Sequence, residues 1–197
     1  MWDQSVTTLQ ADRHAEGVAT DLGATVWLTG LPSAGKTTLA LALAERLRAE
    51  GRRVEVLDGD EFRTHLSAGL GFSKADRHVQ GTRIAFVADL LARNGVLALV
   101  PVIAPYADTR VAARALHENN GTAYLEIHLS TPLDVCADRD VKGLYGKAAR
   151  GEIQHMTGVD DPYEVPESPD LRLDTSATDL AGSVDALLVL LTERGVR

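Results

Sequence analysis

The chain has 197 residues, 45% hydrophobic and 24% charged, with a formal net charge of −8 at pH 7. That is enough for one domain with a substantial core, of ordinary globular composition. The acidic balance argues against a general nucleic-acid or membrane surface, but still allows a small anionic substrate gripped by a few well-placed arginines. Cys136 is the only cysteine. This excludes an internal disulfide framework and a cysteine zinc site, and suits a reducing cytoplasm with the thiol as a small buried side chain.

The first 22 residues are polar, with Asp3, Asp12, Arg13, His14, Glu16 and Asp21, and lack the apolar run of a signal peptide. They read as an N-terminal extension ahead of a single domain over 23–197. Nowhere does an apolar run approach the roughly 18 residues needed to cross a membrane.

An apolar run at 25–28 leads into Gly30-Leu31-Pro32-Ser33-Ala34-Gly35-Lys36-Thr37, which fits G-x-x-x-x-G-K-[ST] at every fixed position. A glycine-rich turn between strand and helix points backbone N–H groups at phosphate oxygens, and the helix dipole adds to that field. Lys36 is placed to reach the β- and γ-phosphates and Thr37 to ligate Mg²⁺. Further strands are expected at 53–57, 96–103, 123–129 and 171–173. Helices are expected at 37–50, where Leu39, Leu43 and Leu47 form a face, and at 74–94, 109–119 and 178–193. Strands alternating with helices give an α/β fold with a mainly parallel sheet of five strands between helical layers. Ligands of such sheets bind at the carboxyl ends of the strands.

Those ends are polar. The second strand delivers Asp58-Gly59-Asp60, with Arg63 one turn later; the third delivers Ala104-Pro105-Tyr106, then Asp108 and Arg110. Paired carboxylates suit a Mg²⁺–phosphate site, one ordering metal-bound water and the other orienting or deprotonating an attacking hydroxyl. Asp58 equally suits a helix cap. Arg63 and Arg77 flank Gly69-Leu70-Gly71-Phe72-Ser73; arginine matches phosphate and sulfate oxygens, and Phe72 is either a stacking platform or a core residue. From about 139 to 163 the chain is basic at its start, punctuated by glycine and poor in apolar periodicity. It reads as a lid that would keep water from a transferring phosphoryl group.

These motifs together resemble adenylylsulfate kinases (APS kinases), P-loop kinases that phosphorylate the ribose 3′-hydroxyl of adenosine 5′-phosphosulfate (APS) with ATP. The resemblance runs through the phosphate loop with Thr38-Leu39-Ala40, Leu57-Asp58-Gly59-Asp60 with Arg63, and Leu70-Gly71-Phe72-Ser73 with Asp76-Arg77. It continues through Ile103-Ala104-Pro105-Tyr106, Arg139-Asp140 with Lys142-Gly143-Leu144-Tyr145, Gly151-Glu152-Ile153, and Thr157-Gly158 with Pro162-Tyr163-Glu164. It implies that Gly30 to Thr38 and Arg139 serve ATP. Asp60, Arg63, Phe72, Arg77, Gln80, Ile103, Ala104, Lys142, Leu144 and Met156 would serve APS, with Phe72 stacked on its adenine. Lys36, Asp58 and Asp60 would carry the catalysis, with either aspartate as base. It further implies Mg²⁺ with ATP, a homodimer, and association with an ATP sulfurylase.

Three positions depart from the family pattern. Gln80 stands where many members have Asn, Met156 where a second aromatic usually covers the adenine, and Ala104 where Ser is common. Without that serine a phosphoserine route is closed, which leaves direct in-line transfer. A relative acting on another nucleotidyl acceptor, and a nucleotide-binding subunit without turnover, are the alternatives.

Overall fold

The structure, a computed structural model, describes residues 23–197; the extension expected over 1–22 lies outside them. Five strands, β1 (Ala24–Gly30), β2 (Val54–Val56), β3 (Leu97–Pro101), β4 (Ala123–Leu129) and β5 (Leu171–Leu173), form one sheet. Its order is β2-β3-β1-β4-β5 and every pairing is parallel. The helices are α1 (Lys36–Ala49), α2 (Gly59–His65), α3 (Lys74–Ala92), α4 (Ala107–Asn119), α5 (Leu133–Arg139), α6 (Leu144–Ala149) and α7 (Leu180–Glu193). The expected strands at 123–129 and 171–173 stand as read; the first extends to Ala24–Gly30, and those expected at 53–57 and 96–103 shorten to Val54–Val56 and Leu97–Pro101. Three short helices, α2, α5 and α6, were not legible, because six or seven residues hold too little periodicity to register.

Two cores follow from strand alternation. Val26, Leu28, Leu97, Leu99, Leu125 and Ile127 face one way and pack with Leu39, Leu43 and Leu47 of α1 and Leu187 and Leu191 of α7. Trp27, Ala98, Val100 and Tyr124 face the other way against Ile84, Ala85 and Ala88 of α3, Ala113 of α4 and Phe62 of α2. Strands buried on both faces read as near-continuous apolar runs, as β1 and β3 do. Cys136 is fully buried. No described helix is long and apolar enough to cross a membrane.

The central strand β1 ends where its last residue, Gly30, lies in register with Leu129 of β4. A Cβ on Gly30 would come within 2.6 Å of the Leu129 carbonyl oxygen. Only glycine lets the two backbones approach this closely, and that approach aims the chain into the phosphate loop. Gly30→Ala is therefore expected to cost about 1–3 kcal/mol of overall stability, read as a lower urea midpoint. An unchanged midpoint would show that the strand ends can part without cost.

Candidate active site

The carboxyl ends of β1, β2, β3 and β5 open into a cavity of about 680 Å³. At one end lies the phosphate loop. Gly35, at φ 92°, caps α1 through its backbone, and no side chain is bonded to the first N–H groups of the helix. That arrangement suits an anion. Lys36 Nζ turns back to donate to the carbonyls of Gly30 (2.9 Å) and Leu31 (2.6 Å). Burial pulls its pKa down to about 8, a shift reinforced by the like charge of Lys142 and opposed by Cys136, Asp58 and Asp60. Pro32, Ser33, Gly35, Lys36, Thr37 and Thr38 line the cavity. Gly30, Leu31 and Ala34 do not line it; their carbonyls serve the loop's own framework.

Asp58 is the helix cap that the sequence allows, and it also touches the phosphate-loop helix. Its Oδ1 accepts the N–H of Asp60 (2.9 Å) and caps α2, while its Oδ2 accepts from Thr37 Oγ1 (3.3 Å). Asp60, two residues on, is ion-paired with Lys142. The pair joins α2 to the segment after α5.

At the other end Phe72 is 53% exposed and has two guanidiniums near its ring, Arg63 at 4.3 Å and Arg77 at 5.5 Å from the ring centroid. Arg63 donates to the carbonyl of Gly71 (2.9 Å), and Arg77 to those of Phe72 (2.9 Å) and His155 (2.8 Å). Burial lowers the pKa of both arginines. Gln80 is 6% exposed; its Nε2 donates to the carbonyl of Gly59 (2.9 Å) and its Oε1 is buried without a partner. Ile103, Ala104, Lys142, Leu144 and Arg139 complete the wall. Ala104 has φ 42° and precedes a proline, a placement costing of order 1–3 kcal/mol that the surroundings must hold.

Met156 is the exception among the expected acceptor residues. It is 5% exposed, packs in the core with α1 and α7, and does not line the cavity. The turn at 156–161 buries it: its own N–H donates to Asp160 Oδ1 (2.6 Å), and its carbonyl accepts the N–H of Val159 (3.0 Å). The segment at 139–163 contains α6, whose Tyr145 is buried and donates to the Pro32 carbonyl (3.1 Å). Its base is thus anchored in the fold, while Val141 and Lys142 stand exposed.

Thr175, Thr178 and Asp179 of the β5–α7 connection, and Leu180 and Ser183 of α7, also line the cavity. Arg139 reaches this group, donating to the hydroxyl (2.8 Å) and carbonyl (3.0 Å) of Thr175. The same strand-end rule that found Asp58 and Ala104, applied to β5, points to Thr175.

A family model described as adenylylsulphate kinase matches residues 22–174. The chain is 52% identical over 188 residues to an adenylyl-sulfate kinase of Deinococcus deserti, covering 95% of this chain and 99% of the relative. It is 50% identical over 173 residues to one of a Synechococcus strain, covering 88% and 97%. Among solved structures it is similar to the Mycobacterium tuberculosis APS kinase in complex with AMPPNP and APS, at a TM-score of 0.84 and 45% identity over 86% of this chain and 98% of that one. It is also similar to a hexameric APS kinase from Thiobacillus denitrificans, at a TM-score of 0.68 and 39% identity over 90% of this chain and 30% of that one. With a phosphate loop facing an arginine–phenylalanine wall across one cavity, and this likeness over most of its length, the chain belongs to the adenylylsulfate kinase family.

Proposed function

We propose that the chain transfers the γ-phosphoryl group of ATP to the 3′-hydroxyl of APS, giving ADP and 3′-phosphoadenosine 5′-phosphosulfate. One observation carries this: the phosphate loop and the wall of Arg63, Phe72 and Arg77 line the same cavity, and Asp60 lines it too.

The donor end takes ATP. Backbone N–H groups of the loop and the start of α1 meet the phosphates, and Lys36 exchanges two carbonyl partners for charged oxygens. Arg139, Thr175 and Thr178 form the side toward which the nucleoside extends. A hydroxyl from Thr37 beside the Asp58 carboxylate is the donor set that suits Mg²⁺, which keeps several waters and takes few protein ligands. When bound with ATP, Mg²⁺ offsets charge on the β- and γ-phosphates.

The acceptor end takes APS. Arg63 and Arg77 each retain N–H donors beyond those used on main-chain carbonyls, which suits the phosphosulfate. Phe72 offers an exposed face to the adenine. The two aspartates divide the work: Asp58 serves the metal's water shell, and Asp60, held by Lys142, orients the attacking hydroxyl and receives its proton. Phosphoryl transfer is mostly a matter of such positioning and charge neutralisation. A homodimer, with a second copy meeting the exposed Val79, Phe86 and Leu90 of α3, and a cytoplasmic setting are part of the same proposal.

The deciding assay is incubation with Mg-ATP and APS beside a panel of other nucleotides, resolved by chromatography. The expected product, formed with APS alone, has the mass of the 3′-phosphorylated compound. Product from another acceptor only would mean that Gln80, with its unpartnered Oε1, had redirected the pocket. Lys36→Ala is expected to lower kcat by at least about 10²-fold while the circular dichroism of the folded chain persists. Turnover near the wild-type rate would remove Lys36 from the mechanism. Because Lys36 is charged only below its pKa of about 8, kcat/KM for ATP should fall above about pH 8, as the free enzyme loses the cation. A profile flat to pH 9.5 would contradict this. Asp58→Asn should raise the Mg²⁺ concentration for half-maximal rate about tenfold, with a smaller change in the KM for APS; the reverse pattern would assign Asp58 to the acceptor.

A further inference from the structure

We propose that Arg110, anchored by Glu126, is a positioning residue for the acceptor: it holds the strained Ala104 wall in place and ties it to the return of the 139–163 segment. The proposal rests on the acceptor assignment above. Arg110 is 3% exposed and does not line the cavity, so it acts through what it binds.

Its guanidinium reaches in three directions. Nη1 donates to the Ala104 carbonyl (2.7 Å), Nη2 donates to the Glu164 carbonyl (2.6 Å), and Nε lies 2.9 Å from Glu126 Oε1. The first two contacts join loops 60 residues apart in the chain. Glu126 sits on β4 with its side chain 10% exposed, so the anchor belongs to the rigid sheet. Desolvating a charged pair is costly, and it is the two carbonyl hydrogen bonds, with Glu126 as counter-charge, that hold the guanidinium in its orientation.

The need for a clamp comes from Ala104. Its positive φ and its place before Pro105 are both disfavoured for a residue with a Cβ. Released, the wall would relax toward extended backbone and carry Ile103 and Ala104 out of position. The neighbouring contacts run the same way: the Glu164 N–H donates to the Pro105 carbonyl (2.8 Å), and Glu164 Oε2 accepts the N–H of Ala107 (2.6 Å). Tyr106 Oη donates to the Asp161 carboxylate, which lies 3.8 Å from Arg77 Nε. The clamp therefore sets one acceptor wall directly and sits beside the contacts that set the other.

Lysine at position 110 keeps a charge for Glu126 but cannot span both carbonyls. Arg110→Lys is expected to raise the KM for APS about tenfold or more while the KM for ATP changes less than about twofold. Glycine tolerates positive φ, so in an Ala104→Gly background the same Arg110→Lys change should cost only about threefold or less in the KM for APS. Equal rises in both KM values, or the same cost in both backgrounds, would overturn the proposal and leave Arg110 as a structural residue only. Should Arg110→Lys not fold, Glu126→Gln, which weakens the anchor at constant shape, is measured in the same way. Wild-type protein that forms no product from Mg-ATP and APS would overturn the acceptor reading and this proposal together; a wild type that does form it isolates the test to Arg110.

Discussion

A phosphate loop that turns its N–H groups toward a ligand must find other partners for its carbonyls, and most of this structure is arranged around that requirement. The carbonyls of Gly30 and Leu31 take the Lys36 ammonium. The carbonyl of Pro32 takes the Tyr145 hydroxyl, and that of Ala34 takes the hydroxyl of Thr175. Ser33 Oγ accepts the N–H of Val141. The loop is thus held from α6, from the end of β5 and from the segment after α5. These elements are far apart in sequence and meet only because parallel strands bring their carboxyl ends to one edge. Coupling the loop to the 139–163 segment is the structural consequence, since Tyr145 cannot move far without orphaning a buried carbonyl.

The acceptor side repeats this logic with charge in place of hydroxyls. Ala104 is strained where Gly30 is merely glycine, and the strain is met by a buried guanidinium whose own charge is answered from the sheet. Thr29 adds a second tie, donating to the Ile103 carbonyl (2.6 Å) and bonded to the Tyr163 hydroxyl (3.0 Å). Both ends of the cavity therefore depend on β1: Gly30 opens the donor loop, and Thr29, one residue earlier, pins the acceptor wall.

Much of this was legible in the sequence, and the limits have physical causes. Strands buried on both faces are continuous apolar runs, so their number and alternation with helices could be read directly. The phosphate loop and Asp58 could be picked out from spacing at strand ends, and Arg63 and Arg77 from their place on either side of the 69–73 loop; the structure brings residues of all of these to one cavity. Met156 could not be placed in this way, because whether a side chain at a turn faces a cavity or the core depends on turn bonds such as the one its N–H donates to Asp160 Oδ1. Arg110 was visible as a residue beyond a strand end, but its task was not, since Glu126 and Glu164 join it only through the fold. The Asp58–Asp60 pair could not be told apart from spacing alone; the fold gives them different partners, Thr37 for Asp58 and Lys142 for Asp60.

The charge of the molecule looks wrong for its substrates until it is resolved in space. A chain at −8 is asked to gather two polyanions. Yet the cavity wall carries Lys36, Arg63, Arg77, Arg139 and Lys142 against Asp58, Asp60 and Asp179. Of those carboxylates, Asp58 and Asp179 accept backbone N–H groups at the starts of α2 and α7, and Asp60 is paired with Lys142. What remains facing the cavity is a positive field with low-dielectric walls, set within an acidic exterior that repels nonspecific anionic polymers. Arg63 is held by main-chain carbonyls, which orient a guanidinium without cancelling its charge. Arg77 combines two such carbonyls with the Asp161 carboxylate 3.8 Å from its Nε, which trades part of its field for a fixed orientation.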